Sequence, residues 1–149
     1  MNKGENEMKI TNGIIKYLLN TLDQPGFTDG SSGLTGYAIY RNIRILKEEV
    51  KDYDKVIDDA LAEYGKESED GRIYIDENDT EAIQKFREKV DPIAALEVDV
   101  NLYQISKEDF EMPYCPTATA NQYAMVEELL TLPDQKEKTK EDEKLEKEE

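Results

Sequence analysis

"YAIYRNIRILKEEVKDYDKVIDDALAEYGK", residues 37–66, decides how this chain is built. Ile39, Ile43, Leu46, Val50, Tyr53, Ile57, Ala60 and Tyr64 alternate steps of four and three, which keeps them on one side of a helix. The spacing predicts a single helix over about 36–64, roughly 43 Å long at ~1.5 Å per residue. Tyr40, Ile45, Val56 and Leu61 widen the apolar stripe beyond a two-position seam, so the helix reads as a wall of a globular core more than as a bare coiled coil. Its length exceeds what a short neighbouring helix covers. A homo-oligomer is therefore expected, with Ile39, Ile43, Leu46 and Val50 at the interface.

Upstream, Thr11 or Asn12 can cap a helix in which Ile14, Ile15, Leu18, Leu19 and Leu22 recur at helical spacing, closed before Pro25 and Gly26. "PGFTDGSSGLTG" then reads as a flexible loop over about 25–35. Downstream, Gly65 is expected as a left-handed cap, followed by a charged turn and a short strand, "RIYI". Asn78 and Glu81 suggest a capping box for a helix bearing Ala82, Ile83, Phe86 and Val90. Val98, Val100 and Leu102 alternate with Glu97, Asp99 and Asn101 as a half-buried strand. A last helix is expected over about 118–131. Residues 135–149 contain one apolar residue, Leu145, and read as a disordered charged tail. The expectation is one small α+β domain over 1–134: a long central amphipathic helix, flanking helices and a small two-stranded sheet made of "RIYI" and the 97–102 strand. The direction of their pairing is left open.

The chain has 149 residues and a formal charge of −16. The tail carries seven acids and five lysines, so −14 of that charge lies on the body. Such a surface opposes direct nucleic-acid binding, which relies on clustered Lys and Arg releasing counterions. It serves solubility, or it mimics a phosphate backbone toward a basic groove on a partner. There is no histidine, which removes the triad-type nucleophiles, His-based zinc sites and the commonest general base near neutral pH. The single cysteine, Cys115 in "PYCPT", cannot form an internal disulfide and has no basic neighbour in sequence to activate it. No apolar run is long enough for a membrane span or a signal peptide. A soluble cytoplasmic protein is expected, not an enzyme, without metal or cofactor.

Three groupings of residues remain. Glu48, Asp52, Asp59 and Glu63 form an acidic ladder, with Lys51 and Lys55 at ion-pairing offsets that mark a solvated face. Glu48, Asp52 and Asp59 are the expected charged part of a partner interface, steering association. The run 76–81 alternates Asp and Asn as a calcium loop would, but its sixth position is Glu81 where glycine is needed and its twelfth is Arg87 where glutamate is needed. Tyr37, Tyr40, Tyr53 and Tyr64 share the long helix, where tyrosine suits an interface rim or lines a core.

"MKITNG" before a leucine-rich helix, the "GLTGYAIYRNIRILKEEVKDYDKVIDDALAEYGK" helix, the "GRIYI" and "EVDVNLYQIS" strands and the capped last helix together resemble a family of small phage and prophage proteins of Gram-positive bacteria. The resemblance covers about 8–131, with Met8 at the family's start. It implies a phage accessory protein in the cytoplasm of an infected or lysogenic bacterium, and it supplies no reaction and no residue role. The expected function is non-catalytic binding of a host or phage macromolecule, such as a host defence system to be inhibited. The alternatives are an assembly chaperone for tail or capsid proteins and a sponge for a nucleotide signal, which would need Arg41, Arg44 and Arg72.

Overall fold

The computed structural model describes residues 5–133. The elements run β1 (Glu5–Thr11), α1 (Asn12–Leu22), α2 (Pro25–Thr28), α3 (Gly33–Glu49), α4 (Lys51–Tyr64), β2 (Lys66–Glu67), β3 (Ile73–Tyr74), α5 (Thr80–Ala94), β4 (Glu97–Tyr103) and α6 (Ala120–Leu130). This is an α+β fold. The tail over 135–149 lies outside the described residues.

α1 is the hub. Thr11 caps it by accepting from the Ile14 N–H, and Ile15, Leu18, Leu19 and Leu22 are buried where α1 meets α3, α6, α5, α2 and β1. The stretch 37–66 forms two helices. Val50, at φ −82° and ψ −10°, ends α3 and begins α4. No proline or glycine causes the break; Val50 is itself buried, and the turn lets α4 lie along α5.

The apolar stripe is covered within one protomer. α1, α2 and β4 cover the α3 half, and α5 covers the α4 half. Ile39, Leu46 and Val50 are 1%, 0% and 4% exposed, and Ile43 is half-buried against the same core, so none of the four offers the oligomer interface expected from the sequence.

The loop expected at 25–35 contains α2. Phe27 is fully buried, and a Cβ on Gly26 would stand 2.5 Å from the Cα of Cys115, so glycine there permits two segments to touch. Gly65 is also a close-approach glycine, not a left-handed cap: its φ is −86°, and a Cβ would stand 2.5 Å from the Leu61 carbonyl oxygen. α5 is capped by Asp79, whose side chain accepts from the Ala82 N–H at 3.0 Å, one residue beyond the expected Asn78.

The sheets also differ from expectation. β4 pairs with β1, antiparallel, with Met8 opposite Val100 and Ile10 opposite Val98. β3 instead closes a small hairpin with β2. There Asp76, held below the usual carboxylate range first by the Asn78 N–H and then by Lys66, anchors the hairpin, while its carboxylate at 3.1 Å raises Lys66.

Buried and half-buried polar side chains tie the end of β4 and the irregular segment after it to the helices. Asn42, fully buried on α3, donates to the Tyr103 carbonyl at 2.8 Å and accepts from the Tyr103 N–H at 2.7 Å, so its amide stands in for a neighbouring strand. Thr35 accepts from the Glu111 N–H at 2.8 Å, and the Tyr123 hydroxyl bonds both backbone groups of Cys115 at 2.7 and 2.8 Å. A buried peptide group without a partner would cost ~1–3 kcal/mol, which is why these positions hold amides and hydroxyls.

Candidate partner-binding surface

α3 buries Thr35, Ala38, Ile39, Asn42 and Leu46, and the helical repeat therefore turns Tyr37, Tyr40, Arg41 and Arg44 to the other side. Tyr37 and Tyr40 are 47% and 57% exposed. The Tyr103 ring stands edge-on to Tyr37 at 5.5 Å between centroids. The Arg41 guanidinium lies 5.0 Å from the Tyr103 centroid and 5.9 Å from that of Tyr37, and it donates to the Tyr37 hydroxyl at 3.3 Å. Arg44 lies 5.7 Å from the Tyr40 ring. Leu34, exposed at the start of the helix, extends the patch.

The edge-to-face ring contact and cation–π attraction hold these side chains before any partner arrives, so less rotamer freedom is lost on binding. Tyrosine and arginine are also the residue types that most often carry interface energy. The patch is a tyrosine–arginine face on a chain whose net charge is −16.

The interface residues named from the sequence divide between two sides of the helices. Ile39, Ile43, Leu46 and Val50 face inward, while Glu48, Asp52 and Asp59 are exposed. Glu48 pairs with Lys51 at 2.7 Å and Asp59 with Lys55 at 3.2 Å. The tyrosines divide too: Tyr53 is buried and Tyr64 half-buried, leaving Tyr37 and Tyr40 for a partner. Tyr103 was missed in the sequence, since only the tertiary fold brings it to Tyr37. Among the described residues, no three acidic or thiol side chains gather as metal ligands, and Cys115 is buried. No helix among them is long and apolar enough to cross a membrane.

A groove of about 730 Å³ lies between β1 and α6, with Met8, Met112, Leu129 and Leu132 among its lining residues. A shallower one runs along α5 past Ile83 and Arg87. Neither collects the three arginines that a nucleotide sponge would use: Arg72 lies before β3 and pairs with Asp70 at 3.4 Å, away from the α3 pair in sequence and element.

No family model, no curated protein and no solved structure matches this chain.

Proposed function

We propose that this protein is a non-catalytic binding protein that engages a protein partner through the α3 face of Tyr37, Tyr40, Arg41 and Arg44. The observation that carries the reading is the exposure of two tyrosines already braced by two arginines and by Tyr103. The resemblance to small phage and prophage proteins supports placing this binding in an infected or lysogenic bacterial cell, where inhibition of a host defence protein is the leading role. The exposed acids Glu48, Asp52 and Asp59 then steer the approach, since opposing potentials raise the encounter rate more than they hold the complex.

Capture from infected cells with the wild-type chain and with a Tyr40→Ala/Arg44→Ala variant tests this. Both side chains are exposed and make no core contact, so the variant should fold normally. A partner captured by the wild type should be lost, its affinity falling by about tenfold or more when remeasured with the purified partner. A defence protein among the lost partners supports the leading role, whereas a tail or capsid protein supports the assembly-chaperone alternative. Identical partners and affinities for the two chains would refute this surface.

A further inference from the structure

β1 is one edge of a two-stranded sheet, and among the described residues no strand lies on its far side. One hydrogen bond tells which backbone groups that edge presents. The Asn12 N–H donates to the Leu96 carbonyl at 3.0 Å, one step beyond the Thr11–Glu97 pair. Bonding alternates along an antiparallel pair, so Ile10 and Met8 turn their backbone groups to β4, while Thr11, Lys9 and Glu7 turn theirs outward. The same parity turns the Tyr103 backbone to the far edge of β4, where Asn42 occupies it. β4 is thus closed on that side at Tyr103, while among the described residues β1 has no strand on its outer edge.

An open edge is a template for another strand, and a second copy of β1 fits it with its charges matched in a register centred on Met8. Pairing two copies antiparallel about Met8 sets Glu7 opposite the partner's Lys9 and Lys9 opposite the partner's Glu7. Both are outward-facing positions, so each pair also exchanges backbone hydrogen bonds. Centring on Glu7 would instead set Glu7 against its own copy, and centring on Lys9 would do the same for lysine. Like charges directly opposite destabilise a ladder. A lone lysine on an edge normally repels an added strand, but in the Met8 register each Lys9 meets a carboxylate.

The groove bordering this edge supplies the apolar part. Met8 points to the core face of the sheet and lines the groove with Met112, Leu129 and Leu132. In the Met8 register the partner's Met8 lies beside Met8 at the groove's margin. We propose that the protein forms a two-fold dimer in which the two β1 strands pair antiparallel about Met8, making a four-stranded sheet from two copies. This surface lies on a different element from the tyrosine–arginine face, so one copy can use both.

Sedimentation of the full chain and three variants tests the proposal. The wild type should dimerise. Glu7→Lys and Lys9→Glu should each weaken the dimer by about tenfold or more, because each turns two opposite-charge pairs into like-charge pairs. An equimolar mixture of these two variants should form heterodimers, and the double variant Glu7→Lys/Lys9→Glu should recover self-association. Only a β1–β1 contact in this register links the two positions in that way. A wild-type chain that stays monomeric, or a dimer indifferent to the single reversals, overturns the proposal. If either reversal fails to fold by circular dichroism, Lys9→Pro replaces it. That change removes an outward N–H and spares the bonds to β4, so a Lys9→Pro chain that still dimerises overturns the proposal as well.

Discussion

The two halves of the stretch 37–66 share one apolar period and meet different fates. α3 is surrounded: α1, α2 and β4 cover it, it buries five residues, and two of these are polar: Asn42 holds the end of β4 and Thr35 the irregular segment after it. α4 packs chiefly on one partner, α5, and buries only Tyr53 and Ala60, while α5 buries only Val90. The hairpin β2–β3 beyond them is exposed at both strands. The two regions meet where α1 packs on α5, at the shared turn at Val50, through the Lys16–Asp54 ion pair, and through Asn12, which donates to the Ile93 carbonyl at 2.9 Å. An equal hydrophobic pattern therefore yields unequal burial. Local stability follows burial, so the α4–α5 region should open more readily than the α1–α3 core.

Truncating one side chain in each half is the strongest way to break that comparison. Leu46→Ala, in the fully buried half, should cost about 3–5 kcal/mol, whereas Ile57→Ala, at a half-buried site of α4, should cost about 1–2 kcal/mol by urea denaturation. Equal losses would mean that α4 is as deeply held as α3.

Removing the amide that closes the sheet sharpens the contrast next. Asn42→Ala leaves the Tyr103 N–H and carbonyl without their partner, at a cost of about 2–3 kcal/mol. Hydrogen exchange at β4 should rise in this variant while exchange in α5 stays unchanged. A rise in both would show that the two regions open together.

The smallest effect is a pH dependence in the looser half. Burial raises the pKa of Tyr53, Lys16 opposes that rise, and Asp91 and Asp54 add to it. The folded chain therefore favours the neutral phenol. The stability this contributes is complete below the unfolded tyrosine pKa, near ~10, and is lost as pH rises through the higher folded value. Tyr53→Phe should remove this alkaline loss in a denaturation series across that range, and an unchanged slope would assign it to other groups.

Much of this architecture was legible in the chain, for reasons that are local. Helical spacing located α1, α5 and α6 and the helical run that became α3 and α4, which it read as one helix, because a buried helix face repeats with the backbone period. A cap at Thr11 or Asn12, of which the structure uses Thr11, and β4 as a half-buried strand were equally readable. β1 carried a usable signal, Glu7, Met8, Lys9, Ile10 and Thr11 alternating in type, that went unread beside the helix that follows it. Asn42 and Thr35 were visible as polar residues on the apolar face of α3, although only their partners, distant in sequence, explain them.

The break at Val50, the choice of β1 as the partner of β4, and the meeting of Tyr37 with Tyr103 belong to the tertiary structure alone. Val50 keeps a right-handed conformation, so the apolar period runs through the break with nothing in the residue types to mark it. Strand pairing is settled between segments about ninety residues apart, by which edge and which apolar face each can offer the other. The sequence by itself therefore determined which residues seek burial. Which elements buried them, and so which face of α3 and which edge of β1 were left for another molecule, was decided when α1 and α5 divided the long stripe between them.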